Sequence, residues 1–549
     1  MTSSDPERSP RDESTRYLCA AAHLDREFAD DAVREFLSVP TRAIPPLPGI
    51  DGAAVLREAV AARSRRRWRD AVVGVVVLGV LSLSWLVFLW WLGLAGALSL
   101  GRVAEDRKDA EAVATRQGVI VGIVTAIVIV AISGIALALS APEALARLID
   151  LPWAWWHSPG GWTALALLVV LALGVLLLDR WAVWKLTTTS FSREHFPGRE
   201  GEDRWAREWQ VRSLGVAEHQ FALDDVREAE EPVGGTDVVV YRGSLPFVGA
   251  GVAYEPWSMV LSLDPAAEGG EVAEVDLVEL HEAVTRELVG LGTSASLSPG
   301  HRLSGLTACD RVVVSAAELV TRMDDPRAAA VLPDLTERPV EALPPEVVAE
   351  VVRRPEEWVR HFRCFRLETW DRALVLTWYL HLGRDDRHLY VEWTPNVLLP
   401  VRESYRRIDL PSSAWQPVLG ALGRWARLPV TALGRLRHAV APIPVDWSDD
   451  EPTQERYGAA RTLRELGAGD ELRDYFQLTD LERYAKLVDR QLLRSIGRFL
   501  EERGITTTEF MRQATQVENR HVHIEGSVSG AVFIGDRNKV GVGNRGERG

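Results

Sequence analysis

The sequence predicts an α-helical membrane region joined to a cytoplasmic α+β domain with antiparallel strands, followed by a helical C-terminal region and a short β-prone tail. Three observations carry this prediction. Uncharged apolar stretches cluster between Ala71 and Leu178, aromatic and β-branched runs separated by turn residues follow beyond residue 205, and alternation broken by glycine marks residues 517–549.

The apolar stretches run from Ala71 to Leu100, Gly118 to Ala141 and Gly161 to Leu178, and none holds a charged side chain. A helix needs about 20 residues to cross about 30 Å of hydrocarbon, so the second and third are span-length. The first is too long for one upright crossing and too short for two. Arg63, Arg65, Arg66, Arg67 and Arg69 precede it, and Lys and Arg accumulate on the cytoplasmic side, so the N-terminal flank is expected inside.

Arg102, Arg107, Lys108 and Arg116 fill the next loop, and Arg180, Lys185 and Arg193 follow the third stretch. The loop between the second and third stretches instead carries Trp153, Trp155 and Trp156, residues suited to a membrane interface. This pattern fits a multi-pass protein of the cell membrane with both flanks inside, provided that 71–100 dips in and returns as a re-entrant hairpin. Trp90 and Trp91 fall where the far interface would lie for a simple span, which favours three crossings and an external C-terminal region. Both topologies remain open at this point.

With 549 residues, the chain has room for a soluble domain of about 200 residues beside the membrane region 71–178. Its net charge of −14 excludes nucleic acid as a main partner, because phosphate binding requires a basic surface. Cys19, Cys309 and Cys364 are odd in number and form no CxxC, so they read as reduced thiols and not as a disulfide framework or zinc site. No cleavable signal peptide is visible before the first apolar run, which is then expected to direct insertion.

Residues 1–70 form an N-terminal helical segment. Leu18, Ala21, Leu24, Phe28, Val33 and Leu37 predict one helix over Tyr17 to Leu37, prolines 40, 45, 46 and 48 end it, and Asp51 caps a second helix toward the membrane. The α+β domain is expected over 205–408, with strands at Val238–Tyr241, Met259–Leu263 and Arg311–Ser315 and a helix at Leu277–Leu288. Phe365–Trp370, Leu374–Leu382 and His388–Trp393 predict an antiparallel meander turned at Asp371-Arg372 and at residues 383–387.

Residues 410–445 hold Arg424, Arg427, Arg435 and Arg437 and no carboxylate until Asp446, with Trp415, Leu419, Leu422 and Trp425 at helical spacing. Such a basic amphipathic segment suits the headgroup layer of an anionic leaflet, with Trp415, Arg424 and Arg427 at the interface, or else packs on the meander. In the helical region 446–516, Thr479 and Glu482 suggest a capping box. Leu481, Tyr484, Val488, Leu492, Ile496 and Phe499 form a stripe that packs within the domain or against another copy, and Thr506 and Glu509 repeat the cap pattern.

No catalytic, cofactor-binding or metal-ligating motif is present. HExxH, GxxxxGK[ST] and GxSxG are absent, the histidines lack ligand spacing, and the glycines of 243–251 precede a strand, which makes them a turn and not a nucleotide loop. The reading is therefore a non-enzymatic membrane protein without cofactor, with a transporter or channel subunit as one alternative. The other is a membrane-bound enzyme with a dispersed site, for which Glu368, Trp370, His381 and Glu392 on one sheet face are the candidates.

In the glycine-rich tail 517–549, Val522 and Ile524 are echoed by Val532 and Ile534. Ser527 to Val540 resembles the core of the RIP homotypic interaction motif and related bacterial amyloid signalling sequences. Val532, Ile534, Gly535, Asn538 and Val540 occupy the matching places, and Phe533 stands where those families carry Gln. The resemblance implies signalling through cross-β association, either with itself or with a partner carrying a similar tail, the lipid bilayer being the other expected partner. Tyr17 to Ala22, Phe247 to Trp257 and Arg360 to Trp370 resemble a group of uncharacterised actinobacterial multi-pass membrane proteins, a likeness that implies architecture and no activity.

Overall fold

The computed structural model describes residues 10–47, 49–83, 159–196, 235–266, 274–294, 302–411, 413–440 and 452–520, with a few isolated residues besides. The expected span at 118–141, the interfacial Trp153, Trp155 and Trp156, and the tail motif residues Val532, Ile534, Gly535, Asn538 and Val540 lie outside the described residues. The chain divides into two compact units: Glu58–Glu218 with Ile408–Pro444, and Met1–Arg57, His219–Arg407 and Val445–Gly549.

The first unit is helical. Helix α1 (Gly52–Leu83) starts at Asp51, whose carboxylate accepts from Ala54 N at 2.8 Å, and runs without a break from the arginine-rich flank into the apolar stretch. Helix α2 (Pro159–Thr188) includes 26 residues, Thr163–Thr188, long and apolar enough to cross a membrane. It is the one such helix among the described residues. Only 22% of its most apolar window is buried, which distinguishes it from the core helix of a soluble domain.

The amphipathic segment forms two helices, α3 (Gln416–Ala426) and α4 (Leu428–Val440). Their buried side belongs to the core of the helical unit. Ala421, Leu428 and Ala432 share a core with Val73, Val76, Val77 and Val80 of α1 and Leu165, Ala172 and Leu176 of α2. Gly420 lies against Arg180, while Trp425 donates to the carbonyl of Val169 (3.3 Å) and sets its ring tilted beside that of Trp91, with centroids 5.2 Å apart. Helix α4 then returns along α1, with Leu436 over Gly74 and Arg435 at Asp70. Trp415, Leu419 and Leu433 stay exposed.

The second unit is built on a mixed eight-stranded sheet: β1 (Thr236–Tyr241), β2 (Val252–Ala253), β3 (Trp257–Ser262), β4 (Leu306–Ser315), β5 (Ala342–Leu343), β6 (Val359–Thr369), β7 (Leu374–Arg384) and β8 (His388–Leu398). The order is β2-β8-β7-β6-β4-β1-β5, with β3 also on β8; β1 and β4 run parallel and every other pair is antiparallel. The meander β6-β7-β8 falls where turn chemistry predicts it. Trp370, Asp371 and Arg372 adopt left-handed backbone in its first turn, and Asp385 accepts from the backbone amides of Arg387 and His388 in the second.

Three expectations are corrected. The N-terminal stripe is split into helices Pro10–Leu24 and Arg26–Phe36, because Asp25 caps the second by accepting from Glu27 N. The long helix α5 (Tyr475–Glu502) starts ahead of Thr479, because Asp474 accepts from Phe476 N and extends it by a turn. Helix α6 (Thr508–Arg520) begins past Thr506, so that pair does not cap it either. The stripe Leu481, Val488, Leu492, Ile496 and Phe499, with Tyr484 at its edge, is buried in the same core as Val312, Phe365, Trp378 and Trp393 of the sheet, and Trp393 Nε1 donates to Asp489 at 2.7 Å. That stripe therefore serves the chain's own core and not another copy.

The loop after β1 meets β8 at Gly251, in left-handed backbone at φ 85°, where a Cβ would lie 2.3 Å from the Val397 carbonyl oxygen. Gly251→Ala is expected to destabilise the domain by about 2–4 kcal/mol through strain plus backbone overlap, measured by denaturant unfolding; Gly243→Ala, with open space around it, is expected to cost less.

Candidate functional site

Among the described residues of α1 and α2, charge gathers at one end of the apolar runs, because α1 passes from Arg63–Asp70 directly into valines and α2 ends its leucine run at Asp179. Asp179 accepts from Arg65 (3.2 Å) and Arg69 (2.9 Å), with Arg424 at 3.8 Å. Asp70 accepts from Arg69 and Arg435, both at 2.8 Å, and from His438 Nδ1 at 3.0 Å. Burial alone would raise the Asp70 carboxyl, but the His438 hydrogen bond and the charges of Arg69 and Arg435 outweigh it and hold the group at about 2.

Arginines outnumber carboxylates at this end, and burial beside Arg180 and Arg69 lowers Arg424 to about 9. Of the residues expected at the interface, Trp415 is exposed at the start of α3, Arg424 joins the Asp179 cluster, and Arg427 donates to the Gly423 carbonyl at the end of α3 (2.9 Å). The Asp70 and Asp179 clusters were not foreseen. Their signal was a lone carboxylate at the edge of each apolar run, facing an arginine-rich flank.

On the sheet, the dispersed enzyme site does not assemble. His381 and Glu392 are register partners and Arg360 pairs with Glu392 at 3.1 Å, but Glu368 stands opposite Val375 at the other end of β6, roughly 20 Å from His381. There it pairs with Arg366 and Arg372, and Trp370 donates to Asp480. On the helix-covered face, His361 Nε2 meets Asp310 at 2.7 Å, Arg363 meets the same oxygen at 3.0 Å, and the His281 ring stands edge-on to His361. Burial, reinforced by His361 and Arg363, pushes His281 well below its ordinary value, so it is neutral at pH 7. Among the described residues, no group of three or more His, Cys, Asp or Glu side chains can hold a metal ion.

The glycine-rich loop is occupied from within the chain. Glu465 Oε1 accepts from Gly249 N (2.9 Å) and Gly251 N (3.0 Å), and its other oxygen closes a capping box with Thr462. The amides that would cradle a phosphate thus already hold a carboxylate, one that burial pushes up against these hydrogen bonds.

Fold and sites together define an α+β protein on an eight-stranded mixed sheet, with a helix long and apolar enough to cross a membrane and charge gathered at the end of its apolar helices. Residues 256–535, just over half of the chain, match the family model described as the AbeC-like domain, and the chain belongs to that family. The match begins at the edge strand β3 and includes the α3–α4 pair as well as α5 and α6. No curated protein and no solved structure matches the chain.

Asp70→Asn is expected to lower the stability of the detergent-solubilised protein by about 3 kcal/mol, since it leaves the half-buried Arg435 without its counter-charge while Arg69 keeps Asp179. The sign with pH follows from the depressed carboxyl: its contribution is complete above about pH 4 and is lost as pH falls through about 2, so the variant shows a flatter acid limb in thermal unfolding.

Proposed function

We propose that the chain is an integral, multi-pass membrane protein of non-enzymatic type, which presents its α+β domain in the cytoplasm for a partner or ligand and uses its tail for homotypic or signalling assembly. One observation carries the membrane part. The helices of the first unit already share a core, yet their outer faces remain apolar, with Leu167, Val170 and Leu178 of α2 and Val75 of α1 each more than 60% exposed. At about 25 cal/mol per Å², such a surface is costly in water and neutral in lipid.

The ion pairs of Asp179 with Arg65 and Arg69 support an even number of crossings. They join the exit of α2 to the entry of α1 on one side, and the arginine excess there suits the inner leaflet. This favours the re-entrant reading of 71–100 over three crossings and keeps the sheet domain inside. Helices α3 and α4, with Trp415, Leu419 and Leu433 exposed, act as a half-depth wedge on that side. Ionisable groups lie at the helix ends and none falls between Thr163 and Leu178, which supports an anchor over a conduit.

Full-length protein is expected to remain in the membrane fraction after alkaline carbonate extraction, and a protease added outside sealed cells is expected to leave the 235–407 domain intact. Release by carbonate removes the anchor; external cleavage reverses the orientation. Deletion of residues 521–549 is expected to abolish clustering in the membrane while leaving retention unchanged, and clustering equal to that of the full chain removes the assembly role of the tail.

A further inference from the structure

Cys309 and Cys364 are direct register partners across the antiparallel β4–β6 pair, although 54 residues separate them in sequence. Alternation places both on the sheet face opposite His361, in one row with Tyr379, which is in turn the register partner of Cys364. Cys364 Sγ donates to the Phe362 carbonyl at 3.8 Å, and each thiol shifts the ionisation of the other. Directly opposed residues of such a pair have Cβ atoms about 4.5–5.5 Å apart, close to the spacing that a disulfide requires.

The two sulfurs differ in access. Cys309 is exposed, whereas Cys364 is 1% exposed in a small apolar cluster with Phe247, Ala250, Phe362 and Tyr379. Two residues along β4, on the same face, the Arg311 guanidinium donates to Tyr379 Oη (3.0 Å) and pairs with Asp237 (3.4 Å), while its buried Nε has no acceptor. The neighbouring Cys364 thiol, against burial and with the help of Arg311, lowers the Cys309 thiol to about 7, and burial pushes Cys364 up. One sulfur is therefore about half ionised at neutral pH, reachable and near a cation; the other is protonated and shielded.

We propose that Cys309 and Cys364 form a peroxide-reactive dithiol, in which Cys309 is the attacking thiolate, Cys364 the resolving thiol, and a small hydroperoxide the co-reactant. The Cys309 sulfur attacks one peroxide oxygen, the O–O bond breaks, and the departing hydroxide or alkoxide leaves as water or alcohol after taking a proton. Cys309 is then a sulfenic acid, and Arg311 offers positive charge to the developing anion. Cys364 loses its proton as its sulfur attacks Cys309; the S–O bond breaks and water leaves. Two thiols are oxidised to one disulfide and one peroxide is reduced. The shielding of Cys364 excludes bulky disulfides as direct oxidants of that sulfur and leaves entry to small molecules at Cys309. Nothing in this proposal depends on whether the chain sits in a membrane.

The test uses full-length protein in detergent, exposed to hydrogen peroxide and mapped under non-reducing conditions. The expected result is a linked Cys309–Cys364 peptide, with loss of both thiols in step, while the buried Cys19 stays alkylatable after denaturation. Cys364→Ser is expected to stop at a Cys309 sulfenic acid that a 1,3-dione traps, and Cys309→Ser to leave Cys364 reduced. Alkylation of Cys309 in Cys364-containing protein is expected to be half-maximal at about pH 7 instead of near 9, a readout independent of any variant's folding. Cross-linking between chains in place of the internal bond, an unmodified pair at peroxide levels that oxidise a free thiol, or an alkylation midpoint near 9 would each overturn the proposal.

Discussion

The helical unit depends on how two buried carboxylates are neutralised. Asp70 and Asp179 each end an apolar run, each is nearly inaccessible, and each is held by at least two arginines. A carboxylate left alone at such a boundary would carry a desolvation cost of several kcal/mol, so the arginines are part of the packing and not a surface decoration. They also fix geometry: Asp179 ties α2 to α1, and Asp70 ties α4 to α1, so the helical pair α3–α4 returns to the level from which it started. Among the described residues, that arrangement leaves the outer faces of α1 and α2 apolar with the charge at one end, the surface on which the proposed membrane contact rests.

The sheet unit solves a different problem. A sheet of eight strands needs cover on both faces, and the chain supplies it from distant segments: α5 and the helix Leu277–Val289 on one side, the loop 243–251 on the other. Phe247 of that loop stacks on Tyr379 at 4.1 Å, and Glu465 binds its glycine amides from more than 200 residues away. The glycine-rich turn is therefore also a structural joint, whereas the polar face beneath it keeps an accessible sulfur beside an arginine.

Local chemistry made some of this legible. The meander was readable because Asp371-Arg372 and Asp385 sit between alternating runs, and the apolar helix α2 because leucine and valine continue without charge. The cap at Asp51 was readable for the same reason. Long-range pairing was not: β1 and β3, which flank one loop in sequence, go to opposite edges of the sheet, since β1 finds β4 in parallel and β3 finds β8. Competing caps hid as well. Asp474 lies one turn ahead of Thr479 and takes the helix start, and the capping box that does form, Thr462 with Glu465, heads a helix of four residues too short to show periodicity. The opposition of Cys309 and Cys364 is a matter of register between strands far apart in sequence, which spacing alone does not encode.

The most direct measurement places a fluorophore at position 170, on the exposed apolar face of α2, in protein reconstituted into vesicles, and compares quenching by an acyl-chain nitroxide with quenching by iodide in water. Strong nitroxide quenching with protection from iodide is the expected result. Free access of iodide to position 170, with no effect of the lipid-borne quencher, would contradict the claim that this face meets hydrocarbon.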